Sequence, residues 1–204
     1  MPAKVGEGRV ARKPLKGAAK RILEAATELF HERGIRAVGV DEIVRRAGAT
    51  KPSLYHRFAS KDGLVAACLE QIAEEAKAEL EARIGAAGED PMAQLRALVG
   101  YCADRMAAPG FRGSPMSNTA VEFPDDDHPA RAVAVANKVY LRERVISLAQ
   151  RLSVEDPEEL ADGIVLLIEG AFSTHDLFGP ESPANALVRL ADRLVDAYLQ
   201  VERS

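Results

Sequence analysis

Between Lys51 and Phe58 the chain reads KPSLYHRF, inside the longer stretch GATKPSLYHRFASKDGL that runs from Gly48 to Leu64. Lys51, Ser53, Tyr55, His56 and Arg57 crowd hydrogen-bond donors and positive charge into one short segment. A core helix would be more apolar, and an ordinary surface helix rarely needs Tyr, His and Arg in a row. Ammonium, guanidinium, imidazole and hydroxyl groups at this density suit contact with a polyanion. Leu54 and Phe58 are four apart and fall on one side of a helix, leaving the polar side chains largely on the others.

The flanking residues predict what holds that segment. Thr50 is a good N-cap, and Pro52 lies in the first turn, where a missing N–H costs little. Gly48 permits a sharp turn before it. Asp41 reads as the N-cap of a short preceding helix through Ala47, with Ile43 and Val44 inward. From Gly17 to Arg33, Ile22, Leu23, Ala26, Leu29 and Phe30 fall on one helical face, and Gly34 ends that helix. A short helix, a glycine turn and a second short helix over 41–58, backed by a long first helix, is a helix-turn-helix. Its second helix would lie in the major groove, presenting Lys51, Ser53, Tyr55, His56 and Arg57 to bases and phosphates.

Charge supports the same division. Residues 1–60 hold 13 Lys and Arg against 6 Asp and Glu, a balance of +7, while the remainder hold 14 against 25, a balance of −11. A basic head on an acidic body predicts that only the head meets a polyanion. Within the head, residues 1–16 read as a flexible basic arm, with Arg9, Arg12, Lys13 and Lys16 either tracking the minor groove or free in solvent. The two cysteines, Cys68 and Cys102, have no zinc-ligand spacing and read most simply as buried thiols in a reducing cytoplasm, with a disulfide left open. No signal peptide and no run of transmembrane length is present, so a cytoplasmic location away from any membrane is expected.

Beyond the head the pattern is helical throughout. Aromatics are 5% and Trp is absent, whereas Ala and Leu abound, which favours helix over sheet. Ser60 caps a helix from Lys61 to about Arg83, ended by Gly85 and Gly88. Pro91 starts another, with Leu95, Leu98, Val99, Cys102 and Met106 inward, stopped by Pro109 and Gly110. A short helix is expected over 114–122, a loop at FPDDDHP, and long helices over 129–151, 157 to about 176, and 183–202. The fold class is therefore all-α: a three-helix helix-turn-helix head over 17–60 and a helical body over 61–204, about nine helices in all.

The block ILEAATELFHERGIRAVGVDEIVRRAGATKPSLYHRFASKDGLVAACLE, residues 22–70, resembles the TetR-type transcriptional regulators. The long first helix ending at Gly34, the Ala47-Gly48 turn, the LYxxF pattern and the SKxxL pattern carry the resemblance together. By position it implies base-edge readers at Lys51, Pro52 and Ser53. Phosphate contacts are implied at Thr50, Tyr55, His56 and Lys61, with Arg45 or Arg46 reaching the backbone and Arg57 beside them. Val40 stands where the family often has a Thr, Val44 where Ala is common and Ala49 where Val is common. No phosphate role is assigned to Val40.

The resemblance also implies a body that dimerises and senses. Leu160, Ile164, Ile168, Leu187, Leu190, Leu194 and Tyr198 make apolar faces that resemble the family's homodimer interface; the same faces could be filled within one subunit. A small-molecule pocket is implied around Cys102, Met106, Phe111, Met116, Asn118, Phe123, Tyr140, Phe172 and His175, although Met and Phe at helical spacing also serve as plain core. Asp125 to His128 have ligand chemistry for a metal, but acids before a Pro-started helix equally act as caps, and no cofactor is expected. No GxSxG, P-loop, HExxH or GxGxxG pattern occurs, which argues against an enzyme. The expected partners are operator DNA, a second copy of the chain and an unidentified effector. An architectural DNA binder without a sensor is the alternative.

Overall fold

The computed structural model describes residues 16–201. The expected basic arm lies outside them except for Lys16, which is exposed. Nine α-helices and no strand occur among the described residues. They are α1 (Ala18–Arg33), α2 (Val40–Arg46), α3 (Lys51–Phe58), α4 (Lys61–Ala86), α5 (Pro91–Ala107), α6 (Pro115–Glu122), α7 (Pro129–Arg151), α8 (Pro157–Phe178) and α9 (Leu187–Val201). The chain divides into two compact units, the boundary falling in α4 between Leu64 and Val65.

The first unit is built on Ile22, Leu23, Ala26 and Leu29 of α1, which are buried with Ile43 and Val44 of α2, Leu54 and Phe58 of α3, and Leu64. Polar ties fix the turns between them. Arg21 of α1 donates its Nε to the Ala47 carbonyl at 2.9 Å and an Nη to that of Gly48 at 3.3 Å. Lys61 Nζ donates to the Ile35 carbonyl at 2.8 Å. Arg21 thus satisfies carbonyls where α2 ends, and Lys61 adds a second donor to the Ile35 carbonyl, which also accepts from the Val38 N–H at 3.4 Å.

In the second unit Leu95, Leu98, Val99, Cys102 and Met106 of α5 are buried as expected. They join Val145, Leu148 and Ala149 of α7 and Leu160, Ala161, Ile164 and Ile168 of α8 in one core. Leu187, Ala191 and Val195 of α9 complete it. A Cβ on Gly163 of α8 would stand 2.8 Å from a methyl of Leu194, so the missing side chain is what lets α9 lie so close to α8.

Four expectations are corrected. Helix α2 starts at Val40 with Gly39 as its cap residue; Asp41 makes no cap bond and pairs instead with Lys51. Helix α4 continues past Gly85 to Ala86. A glycine inside a helix costs roughly 0.5–1 kcal/mol, less than the roughly 1.5–3 kcal/mol that burial of an Ile such as Ile84, 1% exposed, provides. Residues Pro183–Ala186 form a 3-10 turn, because the Ser182 hydroxyl accepts from the Ala184 N–H and tightens the chain before α9 starts at Leu187.

The fourth correction concerns the apolar faces. Leu160, Ile164 and Ile168 are 0% exposed and Leu187 2% exposed within a single chain. Leu194 meets α8 at Gly163, and Tyr198 packs on the same core with its hydroxyl on Glu159. Six of the seven expected interface residues are therefore occupied inside the subunit, since an amphipathic stripe buries equally well against a neighbour in its own chain. Only Leu190, 40% exposed, faces outward.

Candidate functional site

The first candidate surface is the start of α3. Thr50 and Ser53 form a reciprocal capping box: Thr50 Oγ1 accepts from the Ser53 N–H, and Ser53 Oγ accepts from the Thr50 N–H at 3.2 Å. Pro52 lies in the first turn. Burial of Leu54 and Phe58 sets the helix's rotation and leaves Lys51, Pro52, Tyr55, His56 and Arg57 exposed. Eight helical residues span about 12 Å, which matches a major groove about 12 Å wide.

The cations around α3 differ in how free they are. Lys51 Nζ lies 2.7 Å from Asp41, and that hydrogen-bonded pair raises the ammonium's pKa. Arg46 is held by Glu28 at 3.5 Å and Glu32 at 3.3 Å of α1, whereas Arg45 is exposed. The Arg57 guanidinium stands 5.9 Å from the Phe58 ring centroid. Lys61 is half-buried on the Ile35 carbonyl.

The second candidate site is a partly open cleft in the second unit, with about 710 Å³ of empty space including its mouth. Five of the nine residues expected there line it: Cys102, Phe111, Met116, Tyr140 and Phe172. The other four do not. Met106 is buried in the core at 3% exposure. The exposed Asn118 gives its amide to the Arg112 carbonyl. Phe123 stacks on His128 with centroids 4.1 Å apart, and His175 sits edge-on to Phe111 from outside the lining.

Sequence reasoning missed the cleft's charged and phenolic members, Lys77, Tyr101, Arg105 and Lys138. One signal for them existed: Ala73, Ala76, Lys77 and Leu80 share a helical face whose small residues leave room. Burial pushes the Tyr101 phenol up to about 12 and the Cys102 thiol up to about 12, so both stay protonated near neutrality. Burial also pushes Glu81 up, but the Tyr140 hydroxyl, the Arg144 guanidinium and Lys77 together outweigh it and hold that carboxylate below its usual value. The Tyr140 phenol is raised by burial and by its bond to Glu81.

The acidic loop before α7 has structural partners. His128 Nδ1 accepts from the Ala130 N–H at 3.2 Å as the cap of α7, Asp126 pairs with Arg131 at 2.8 Å, and Asp125 accepts from the Asp127 N–H. No group of three His, Cys, Asp or Glu suited to a metal occurs among the described residues.

A short supported helix pair with an exposed cationic second helix defines a helix-turn-helix protein, a DNA-binding class. Comparison with known proteins agrees. Residues 22–68 match the model of the bacterial regulatory proteins of the tetR family. The chain is 44% identical over 66 residues to the HTH-type transcriptional activator FasR of Mycolicibacterium smegmatis, a match covering 32% of this chain and 30% of that protein. It is 25% identical over 197 residues to the HTH-type transcriptional regulator BetI of Brucella anthropi, covering 95% and 96%. A TetR-family transcriptional regulator from Streptomyces coelicolor superimposes with a TM-score of 0.82 at 28% identity, over 89% of this chain and 95% of that one. Residues 22–68 are a domain of the tetR family of bacterial regulatory proteins, and over most of its length the chain is similar to transcriptional regulators, likenesses that support a DNA-binding regulator rather than an enzyme.

Proposed function

We propose that the protein is a ligand-responsive repressor that occupies a palindromic operator as a homodimer and leaves it when a small-molecule effector binds the body. The exposed face of α3 carries this reading. Residues 17–60 are the reading head in this proposal and residues 61–204 the sensing and dimerising body. Lys51, Pro52 and Ser53 meet base edges, while Tyr55, His56, Arg57 and Lys61 meet phosphates. Of the two arginines on α2, Arg45 is the better phosphate contact, because Arg46 is engaged by two carboxylates. Thr50 acts through its cap, which orients the helix start. A protein that works on chromosomal DNA in a bacterium does so in the cytoplasm; among the described residues no helix is long and apolar enough to cross a membrane.

The dimer interface in this reading is the outward stripe of α8: Leu166, Gly170, Ser173 and Leu177 recur at spacings of four, three and four residues, and all are exposed. Leu166 is 72% and Leu177 79% exposed, and Leu190 of α9 adds to the apolar surface. Large side chains so exposed on a helix mark a contact surface. The open cleft in the body favours a sensor over a purely architectural DNA binder. A dimer bound at an operator acts most directly by excluding polymerase, which is why repression is proposed.

The test is selection of bound sequences from random DNA. One palindrome, with half-sites centred about 10 base pairs or a multiple apart, is expected. Recovery of DNA without a shared motif overturns the operator reading. A reporter carrying that palindrome should fall in output when the protein is present; a rise makes it an activator.

A further inference from the structure

We propose that the body cleft takes an apolar molecule carrying one carboxylate, with the carboxylate at the mouth beside Lys77 and Arg105 and the apolar part against Phe111, Met116, Leu141 and Phe172. The inference deepens the effector reading and rests on it only for the claim that binding matters to DNA.

The charge of the lining carries the argument. Three cations, Lys77, Arg105 and Lys138, line the cleft, and no carboxylate does. The carboxylates that pair with Lys138 and Arg105 lie outside the lining. Lys138 is satisfied: its ammonium bonds to the Glu169 carboxylate and reaches Ser114 Oγ at 3.1 Å, while the Ser117 hydroxyl donates to Glu169 at 2.7 Å. Arg105 is held more loosely, 3.7 Å from a Glu79 oxygen that also accepts from the Tyr101 hydroxyl at 3.1 Å.

Lys77 is the cation in excess. Its ammonium lies 4.2 Å from the Tyr140 ring centroid, and no carboxylate among the described residues forms an ion pair with it. The carboxylate it senses, Glu81, is already bonded by the Tyr140 hydroxyl and by Arg144 at 2.8 Å. Four cations (Lys77, Arg105, Lys138, Arg144) thus face three carboxylates (Glu79, Glu81, Glu169), leaving a single positive charge. One ligand carboxylate neutralises it. A quaternary ammonium would meet three cations with no acid in the lining, and unpaired charge in a confined site is costly.

Position selects an amphipath over a small anion. Lys77 is exposed and Arg105 39% exposed in its side chain, so the charge stands where a headgroup keeps some water. Leu80, Cys102 and Met116 are buried, and Phe111, Leu141 and Phe172 half-buried, an apolar lining that rewards an apolar tail. Ala73 and Ala76 of α4 leave the room, and Met116 adapts to the shape.

The test uses the full chain and two matched series, decanoate, 1-decanol and decyltrimethylammonium below their micellar concentrations, and 2-naphthoate with 2-naphthol. Binding is measured by calorimetry. At least one carboxylate should bind about fivefold or more tighter than its alcohol, the gain expected of a half-exposed charged hydrogen bond. The quaternary ammonium should bind weakest. Lys77→Met should erase the carboxylate's advantage while keeping affinity for the alcohol, and Lys77→Arg should preserve it. Alcohols binding as well as both carboxylates, a preference for the cation, no carboxylate binding at millimolar concentration, or an unchanged preference in Lys77→Met each overturn the inference. Operator DNA present in the same titration separates the two readings. A carboxylate that binds without releasing DNA overturns the effector reading and leaves this one standing; release by the alcohol but not the carboxylate does the reverse.

Discussion

A Cβ placed on Gly63 would stand 2.2 Å from the carbonyl oxygen of Phe58. The last turn of α3 and the first of α4 are therefore in contact through a position only glycine can occupy. The Ser60 hydroxyl, accepting from the Gly63 N–H at 2.9 Å, completes that corner. Because that neighbour is backbone, no side-chain rotation relieves the clash. Gly63→Ala should cost about 1–3 kcal/mol of stability, the usual range for overpacking, and should lower operator affinity by tilting α3. Thermal melting and a DNA-binding titration check both; a variant with unchanged Tm and affinity shows that the corner opens freely.

Lys51 and Lys61 should separate reading from holding. Lys51→Ala should cost about 1–3 kcal/mol on the selected operator and relax preference at one position per half-site. Lys61→Ala should weaken binding about equally on all sequences and reduce the slope of log K against log salt by roughly two units per dimer, near 0.9 per phosphate. It should also lower Tm slightly, unlike Lys51→Ala, because the part-buried Ile35 carbonyl loses the shorter of its two hydrogen bonds and keeps only the Val38 N–H at 3.4 Å. A change in base preference in Lys61→Ala reverses the assignment.

Leu166 and Leu194 should behave oppositely although both are leucines on the last two helices. Leu166→Glu adds charge to an exposed stripe, so it should yield folded monomers in sedimentation and cost little Tm per chain beyond the lost association. Leu194→Glu forces a carboxylate against Gly163 of α8 and should destabilise the subunit by several kcal/mol. A dimer that survives Leu166→Glu unchanged places the interface elsewhere.

Cys102 gives a pH signature. The buried thiol keeps its proton up to about 12 in the folded chain against an ordinary value of 9.0, so its contribution is fully present below 9 and is lost as pH rises from there toward 12. Tyr101, raised from 10.0 to about 12, adds a second loss that begins near pH 10. Between pH 9 and 10 the thiol alone should remove up to about 1.4 kcal/mol per unit, roughly 2–4 °C in Tm. Cys102→Ser should flatten the curve in that interval whatever its effect on Tm at pH 7; an unchanged slope shows that the thiol is not held protonated.

The helix-turn-helix was legible because local rules decide it. Thr50, Pro52, Leu54 and Phe58 act within one or two turns of chain, and their spacing alone predicts α3. Asp41 failed as a cap because α2 begins at Val40 behind an extended Gly39, which puts Asp41 inside the first turn, where its carboxylate pairs with Lys51 across the turn. The apolar faces of α8 and α9 were found, but whether Leu160 or Leu166 faces a neighbour depends on which elements the fold brings alongside. The cleft was half legible: Phe111, Met116 and Phe172 advertise apolar space. Lys138 reads as a solvated charge until Glu169 is located beside it, and Lys77 until the Tyr140 ring is.

The capping box of α3 also limits what can be spelled at that position. The Ser53 hydroxyl points its hydrogen at the Thr50 carbonyl, 2.7 Å away, and takes the Thr50 N–H on one lone pair. While the box stays closed, Ser53 has no hydrogen to offer outward, and it receives one from a base only where the Thr50 hydroxyl, which donates to it at 3.3 Å, turns away. Lys51, two residues earlier, can only give. The helix start therefore presents a one-way polarity, a giver followed by a taker. The letters such a pair favours are a guanine opposite the lysine and, next to it, a base whose exposed amino group points outward, adenine or cytosine.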